Sequence, residues 1–133
     1  MAESDYPYTA RDGSCKAKQG SKIRVQGYKN VQANSVPALK SAIAAGPTSV
    51  TIEADQMVFQ MYTGGILDST SCGTNLDHAV TAVGYGSESG KDYYIVRNSW
   101  GASWGEQGYI RIAAVSGAGI CGIQEESLYP STN

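Results

Sequence analysis

His78-Ala-Val-Thr-Ala-Val-Gly-Tyr85 and Tyr93-Tyr-Ile-Val-Arg-Asn98 are two runs rich in β-branched and aromatic residues, joined through the short polar loop Gly86-Ser-Glu-Ser-Gly90. Such runs, bounded by a glycine-containing turn, read as the two strands of a hairpin. If the hairpin is symmetric about Glu88, positions 78 and 98 stand directly opposite each other. Opposed residues share a face, with Cβ atoms about 5 Å apart. The hairpin carries the only histidine of the chain and makes antiparallel sheet the expected architecture.

Working outward, Tyr109–Ala113 is a further run of the same kind. Ser49–Ala54 alternates, with Val50 and Ile52 on one face, and Ser21–Tyr28 alternates with Ile23 and Val25 on one face. Helical signals are short. Asn34 or Ser35 can cap a helix with Pro37 in its first turn and Leu39, Ala42 and Ile43 on one side, stopped by Gly46-Pro47. Asp55–Tyr62 reads as one or two helical turns bearing Met57, Val58 and Met61, or as a strand. The expected class is β-dominated α+β, an antiparallel barrel-like sheet with short helices. A chain of 133 residues without repeat or linker makes one domain, residues 1–133.

Composition excludes whole classes of partner. The net charge is −2 and Lys and Arg form no basic block, so a nucleic-acid surface is not expected. No apolar run approaches the roughly 18 residues of a membrane span. Met1-Ala-Glu-Ser-Asp5 is polar and acidic, with no hydrophobic signal core behind it. Read literally this predicts a cytosolic chain; otherwise the chain is a piece whose start is not the natural one.

The chemistry centres on His78. An imidazole facing a side-chain amide is an orienting arrangement, because the amide oxygen holds one ring nitrogen and leaves the other aimed outward. Trp100, two residues beyond Asn98, could shield that hydrogen bond from water. The alternative is that Asn98 and Trp100 end a strand and fill a core edge.

These same residues carry a resemblance. Cys72-Gly-Thr-Asn-Leu-Asp-His78-Ala-Val, Val83-Gly-Tyr-Gly86, Arg97-Asn-Ser-Trp-Gly101 and Trp104-Gly-Glu-Gln-Gly-Tyr109 resemble the papain/cathepsin L family of cysteine peptidases. Tyr6-Pro-Tyr8, Ser14-Cys15, Gly46-Pro47, Cys121-Gly-Ile123 and Tyr129-Pro130 also match, so the resemblance covers roughly residues 4–130. It implies the right-hand domain of a two-domain enzyme, with His78 as catalytic base and Asn98 as its orienter. Trp100 is then the indole over that pair. Asp77 is a separate question: beside a strand start it is a minor tuner of the His78 charge or a solvated or capping group. No cofactor is implied.

The resemblance also defines what the chain does not contain. The family's nucleophile lies in a Cys-Gly-Ser-Cys-Trp type segment, placed by family spacing about 50–70 residues before Met1. None of the three cysteines has that context, and the family's oxyanion Gln belongs to the same missing left-hand half. By the same comparison Cys72 pairs with Cys121, while the partner of Cys15 lies in the other half and leaves Cys15 unpaired here. That pattern implies an oxidising compartment for the parent protein, lysosomal, vacuolar or secreted. Zinc is the rival use of three cysteines and one histidine, but positions 15, 72, 78 and 121 contain no knuckle spacing.

Two functions follow. One is the His/Asn-bearing half of a cysteine endopeptidase that is inactive alone, needs the left-hand half, acts on peptides or proteins, and self-associates through the orphaned interdomain face. The other is a non-catalytic or Ser-for-Cys homologue serving as a binding or structural domain. The resemblance further implies a pocket for the residue two before the cleaved bond, with Leu76, Ala79 and Thr51 as walls and Glu126 as floor.

Overall fold

The computed structural model describes residues 2–16 and 25–132. The expected strand start at 21–24, with Ile23, lies outside the described residues. The elements run β1 (Val25–Asn30), α1 (Val36–Ala45), β2 (Thr48–Ile52), α2 (Met57–Gln60), β3 (Ile66–Leu67), β4 (His78–Glu88), β5 (Lys91–Arg97), β6 (Tyr109–Ala113) and β7 (Ser127–Thr132). Short 3₁₀ turns at Thr70–Cys72 and Ile120–Gly122 lie between them. The strands form one seven-stranded sheet in the order β1-β7-β2-β4-β5-β6-β3. Every pairing is antiparallel except the two-residue β3, which runs parallel to β6. The β-dominated α+β class with short helices is therefore what the chain adopts.

Local chemistry sets the elements. Of the two candidate caps, Ser35 takes the role: its hydroxyl accepts the Ala38 N–H at 3.3 Å, with Pro37 in the first turn. The helix buries Leu39, Ala42 and Ile43 and stops where the Gly46 N–H closes on the Ala42 and Ile43 carbonyls. In β2 the alternation puts Val50 and Ile52 in the core. They are joined there by Phe59, Val80, Ala82, Tyr94, Val96, Ile110 and Ile112, all buried.

The β4–β5 hairpin differs from the symmetric reading. The strands continue to Glu88 and Lys91, which pair, and the turn is only Ser89-Gly90, both at positive φ. Two-residue turns of that handedness match the twist of the strands they join. Gly86 is thus not a turn residue. It leaves room within the strand for the Tyr93 ring, since a Cβ there would stand 2.8 Å from Cζ. The direct opposition of 78 and 98 is also corrected. Gly84 pairs with Ile95, but Ala82 pairs with Val96, so Val83 is a bulge. Continued past the bulge, that register sets Asn98 opposite Val80, two residues from His78.

Candidate active site

His78 opens β4, paired across β2 with Ile52, and Asn98 follows the last residue of β5. Both therefore stand at one end of the sheet. The bulge decides whether they meet. The register of Gly84 and Ile95, carried through without it, would set Asn98 opposite Thr81, on the face away from His78. One extra residue restores the parity. Asn98 then shares a face with Val80 and His78, and a diagonal pair of side chains is within reach.

Asn98 Oδ1 lies 2.9 Å from His78 Nε2 and accepts the Ser99 N–H at 2.8 Å. The second bond settles the first. Ser99 N–H is a donor, so the atom it meets must be the amide oxygen, and the ring nitrogen on that same oxygen must carry a hydrogen. His78 is therefore protonated on Nε2, and Nδ1 is the nitrogen left for chemistry. Asn98 is buried, 7% exposed, which keeps water from competing for the bond.

Trp100 covers the imidazole. Its ring stacks on the imidazole with centroids 5.3 Å apart and planes 28° from parallel. It is held from behind by Phe59 at 5.4 Å and Trp104 at 5.5 Å, both edge-on. Trp104 packs in turn on Phe59 and Tyr62 and donates its indole N–H to the Gln60 carbonyl. Tyr62 hydroxyl donates to the Gly65 carbonyl and accepts the Arg111 N–H. An aromatic wall thus runs from α2 to the imidazole. The sequence marked Trp100 but not the role of Phe59, whose only signal is an apolar residue in the short α2.

Asp77 is adjacent to His78 in sequence but bonded elsewhere. Its Oδ1 accepts the Ala54 N–H at 2.8 Å and its own N–H donates to the Ile52 carbonyl. It ties the start of β4 to the end of β2, as a capping carboxylate does.

Cys72 and Cys121 form a disulfide. Cys15 is a free, exposed thiol, and no hydrogen bond among the described residues joins it to His78. Of the four residues expected to form a pocket, the structure brings Thr51, Ala79 and Glu126 together. Thr51 pairs with Ala79 across β2 and β4, and its N–H donates to the Glu126 carbonyl. Thr51 and Glu126 also line a cavity of about 370 Å³ with Ser49, Glu125 and Leu128. Leu76 and Ala79 are not among its lining residues; Leu76 packs instead over Gly122, where a Cβ would stand 2.7 Å from its Cδ2. Glu125 was not singled out in the sequence, although the Glu125-Glu126 pair was its signal.

Comparison with known proteins places the chain among similar sequences and folds. The family model described as papain family cysteine protease matches residues 1–131. The chain is 50% identical to cysteine proteinase RD21A of Arabidopsis thaliana, over 98% of this chain and 29% of that protein. It is 53% identical to germination-specific cysteine protease 1 of the same plant, over 96% of this chain and 35% of that protein. The chain thus spans about a third of the length of these relatives. Among solved structures, the bromelain protease of Ananas comosus, determined with the E64 inhibitor, superimposes with a TM-score of 0.90 at 45% identity. The match covers 98% of this chain and 61% of that one.

Proposed function

The chain belongs to the papain family of cysteine proteases, and from that premise we propose that it is the right-hand half of a cysteine endopeptidase. In this reading it supplies the base and its orienter to a nucleophilic cysteine outside residues 1–133. The observation that carries it is the shared Asn98 Oδ1, which holds His78 Nε2–H and leaves Nδ1 open. A family scaffold without catalytic use has no physical need for a buried amide that fixes one imidazole tautomer beneath a stacked indole.

The proposed reaction is acyl transfer. A thiolate paired with the imidazolium attacks the peptide carbonyl, forming a C–S bond. The proton on His78 Nδ1 passes to the leaving amine as the C–N bond breaks. Water then attacks the thioester carbonyl and gives a proton to Nδ1; the C–S bond breaks, which releases the acid and restores the thiolate–imidazolium pair. Asn98 keeps the ring at one angle through both transfers, and Trp100 keeps water from the hydrogen bond that does so.

The same proposal covers the surroundings. The left-hand half is the partner that brings the thiol and an oxyanion donor. Trp100, 41% exposed, lies on the face that half would cover, and the orphaned face favours self-association. The disulfide supports an oxidising route for the parent protein, vacuolar, lysosomal or secreted. The cavity at Thr51 and Glu126 is the proposed site for the side chain two residues before the cleaved bond. The test is reconstitution. Joined to a family left-hand half bearing its Cys, the chain should hydrolyse a peptidyl reporter, and His78→Ala should abolish turnover. Full turnover without His78 would favour a structural role.

A further inference from the structure

Glu53, the residue after β2, is buried, with 6% of it exposed, and no ion pair reaches it among the described residues. A carboxylate taken from water is costly unless hydrogen bonds replace its hydration, so its partners are informative. Oε2 accepts the Asn75 N–H at 2.5 Å, and Oε1 accepts from Gln56 Nε2 at 2.9 Å. The carboxylate sits on the bare Cα of Gly73, where a Cβ would stand 2.1 Å from Oε2 and 2.6 Å from Cδ. Only glycine fits at that point, which also has φ +75°. The Glu53 N–H donates to the Cys121 carbonyl at 2.9 Å. Glu53 therefore lies against both ends of the Cys72–Cys121 bridge and grips the segment between Cys72 and His78.

The grip is returned two residues further on, where Asp77 accepts the Ala54 N–H. Each strand end thus lends a carboxylate to the other's backbone. Between the two bonds lie Leu76 and the entry to His78.

We propose that Glu53 is a positioning residue, a buried carboxylate that fixes the 73–77 segment and through it the angle at which His78 is presented. The inference rests on the reading of His78 as the base. Its chemistry requires an acceptor at both oxygens, because both neighbours, Asn75 N–H and Gln56 Nε2, are donors. Glutamine at 53 can satisfy one donor and meets the other with an NH₂. Alanine leaves Asn75 N–H unpaired, leaves Gln56 Nε2 only its bond to Asp55 Oδ1 at 2.9 Å, and opens a gap over Gly73.

The test uses the enzyme assembled with its left-hand half, well below its unfolding temperature and normalised to titrated active sites. Glu53→Ala should lower kcat about 10- to 100-fold, the scale of a misplaced catalytic group, and Glu53→Gln should recover part of it. In the same proteins the proton resonances of Asn75 N–H and His78 Nε2–H should both move, a signature that lowered stability alone does not produce. Wild-type kcat with an unmoved His78 resonance in Glu53→Ala overturns the proposal. If that variant does not fold, the same outcome in Glu53→Gln overturns it. Retained turnover in His78→Ala would instead remove the reading of His78 as base, and the two resonances would then decide Glu53 by themselves.

Discussion

His78 Nε2 reaches Asn98 Oδ1 at 2.9 Å across a diagonal of the β4–β5 ladder, and the unpaired Val83 is what puts the two on one face. The amide works through its oxygen alone. Its buried Nδ2 has no hydrogen-bond partner among the described residues, so the side chain is held for His78 and Ser99 rather than for the core.

That asymmetry separates stability from activity in Asn98→Ala. Truncation unpairs Ser99 N–H, a cost of about 1–3 kcal/mol, but also removes an unpaired buried NH₂, and the two partly offset. Thermal stability should fall by about 1 kcal/mol, while kcat of the assembled enzyme should fall about 100-fold, within the usual range for an acid–base group. Parallel calorimetry and kinetics check this. Equal percentage losses of folded protein and activity would contradict it.

The Cys72–Cys121 bridge spans a sequence separation of 49, for which the chain-entropy model gives about 4 kcal/mol. A paired Cys72→Ala and Cys121→Ala variant should lose roughly that amount in urea unfolding, a large share of a domain's usual 5–15 kcal/mol. Alkylation without reduction should label Cys15 alone, read by peptide mass mapping. Label on Cys72 or Cys121 in the native protein would contradict the pairing.

Glu106 takes Arg111 in a two-bond fork, Oε2 to Nε at 3.0 Å and Oε1 to Nη2 at 2.9 Å. The guanidinium holds the Glu106 carboxyl below its ordinary value of 4.5, against a smaller opposing push from burial. A folded-state value below the unfolded one stabilises above the unfolded value, and the gain is lost as pH falls through the depressed one. Glu106→Gln should therefore be less stable than the parent at pH 7, and the two should converge as pH falls from about 4.5. A gap in Tm that stays constant on acidification would contradict the pairing.

Thr51 and Glu126 share one cavity, with Glu125 beside them. A carboxylate there can meet a guanidinium in a two-bond fork, so the assembled enzyme should accept Arg as well as Leu or Phe at the second residue before the cut. Glu126→Ala should lower the Arg-Arg to Phe-Arg ratio of kcat/KM by about tenfold, the worth of one charged hydrogen bond. An unchanged ratio would remove the cavity from the account of specificity.

Much of this was legible in the sequence because it rests on short-range pattern. The β-branched runs marked the strands, Ser35 with Pro37 marked a helix start, and Gly46 its end. His78, Asn98 and Trp100 stood out as a rare combination at fixed spacing. The failures are of register and of reach. A bulge adds one residue without any compositional mark, so Val83 could not be told from its neighbours, and the turn was centred a residue and a half too early. Glu53 reads as the outward residue that follows Ile52 in an alternating strand. Its burial comes from the chain turning there to meet a segment 20 residues further on, which no local period records.

The most direct measurement is turnover of a peptidyl reporter by the purified chain alone and by the chain joined to a Cys-bearing left-hand half. The chain alone should show no thiol-dependent turnover. The joined protein should show turnover that a thiol-alkylating reagent blocks and His78→Ala abolishes. Alkylation-sensitive turnover by the isolated chain, or His78→Ala activity equal to the parent in the joined protein, would contradict it.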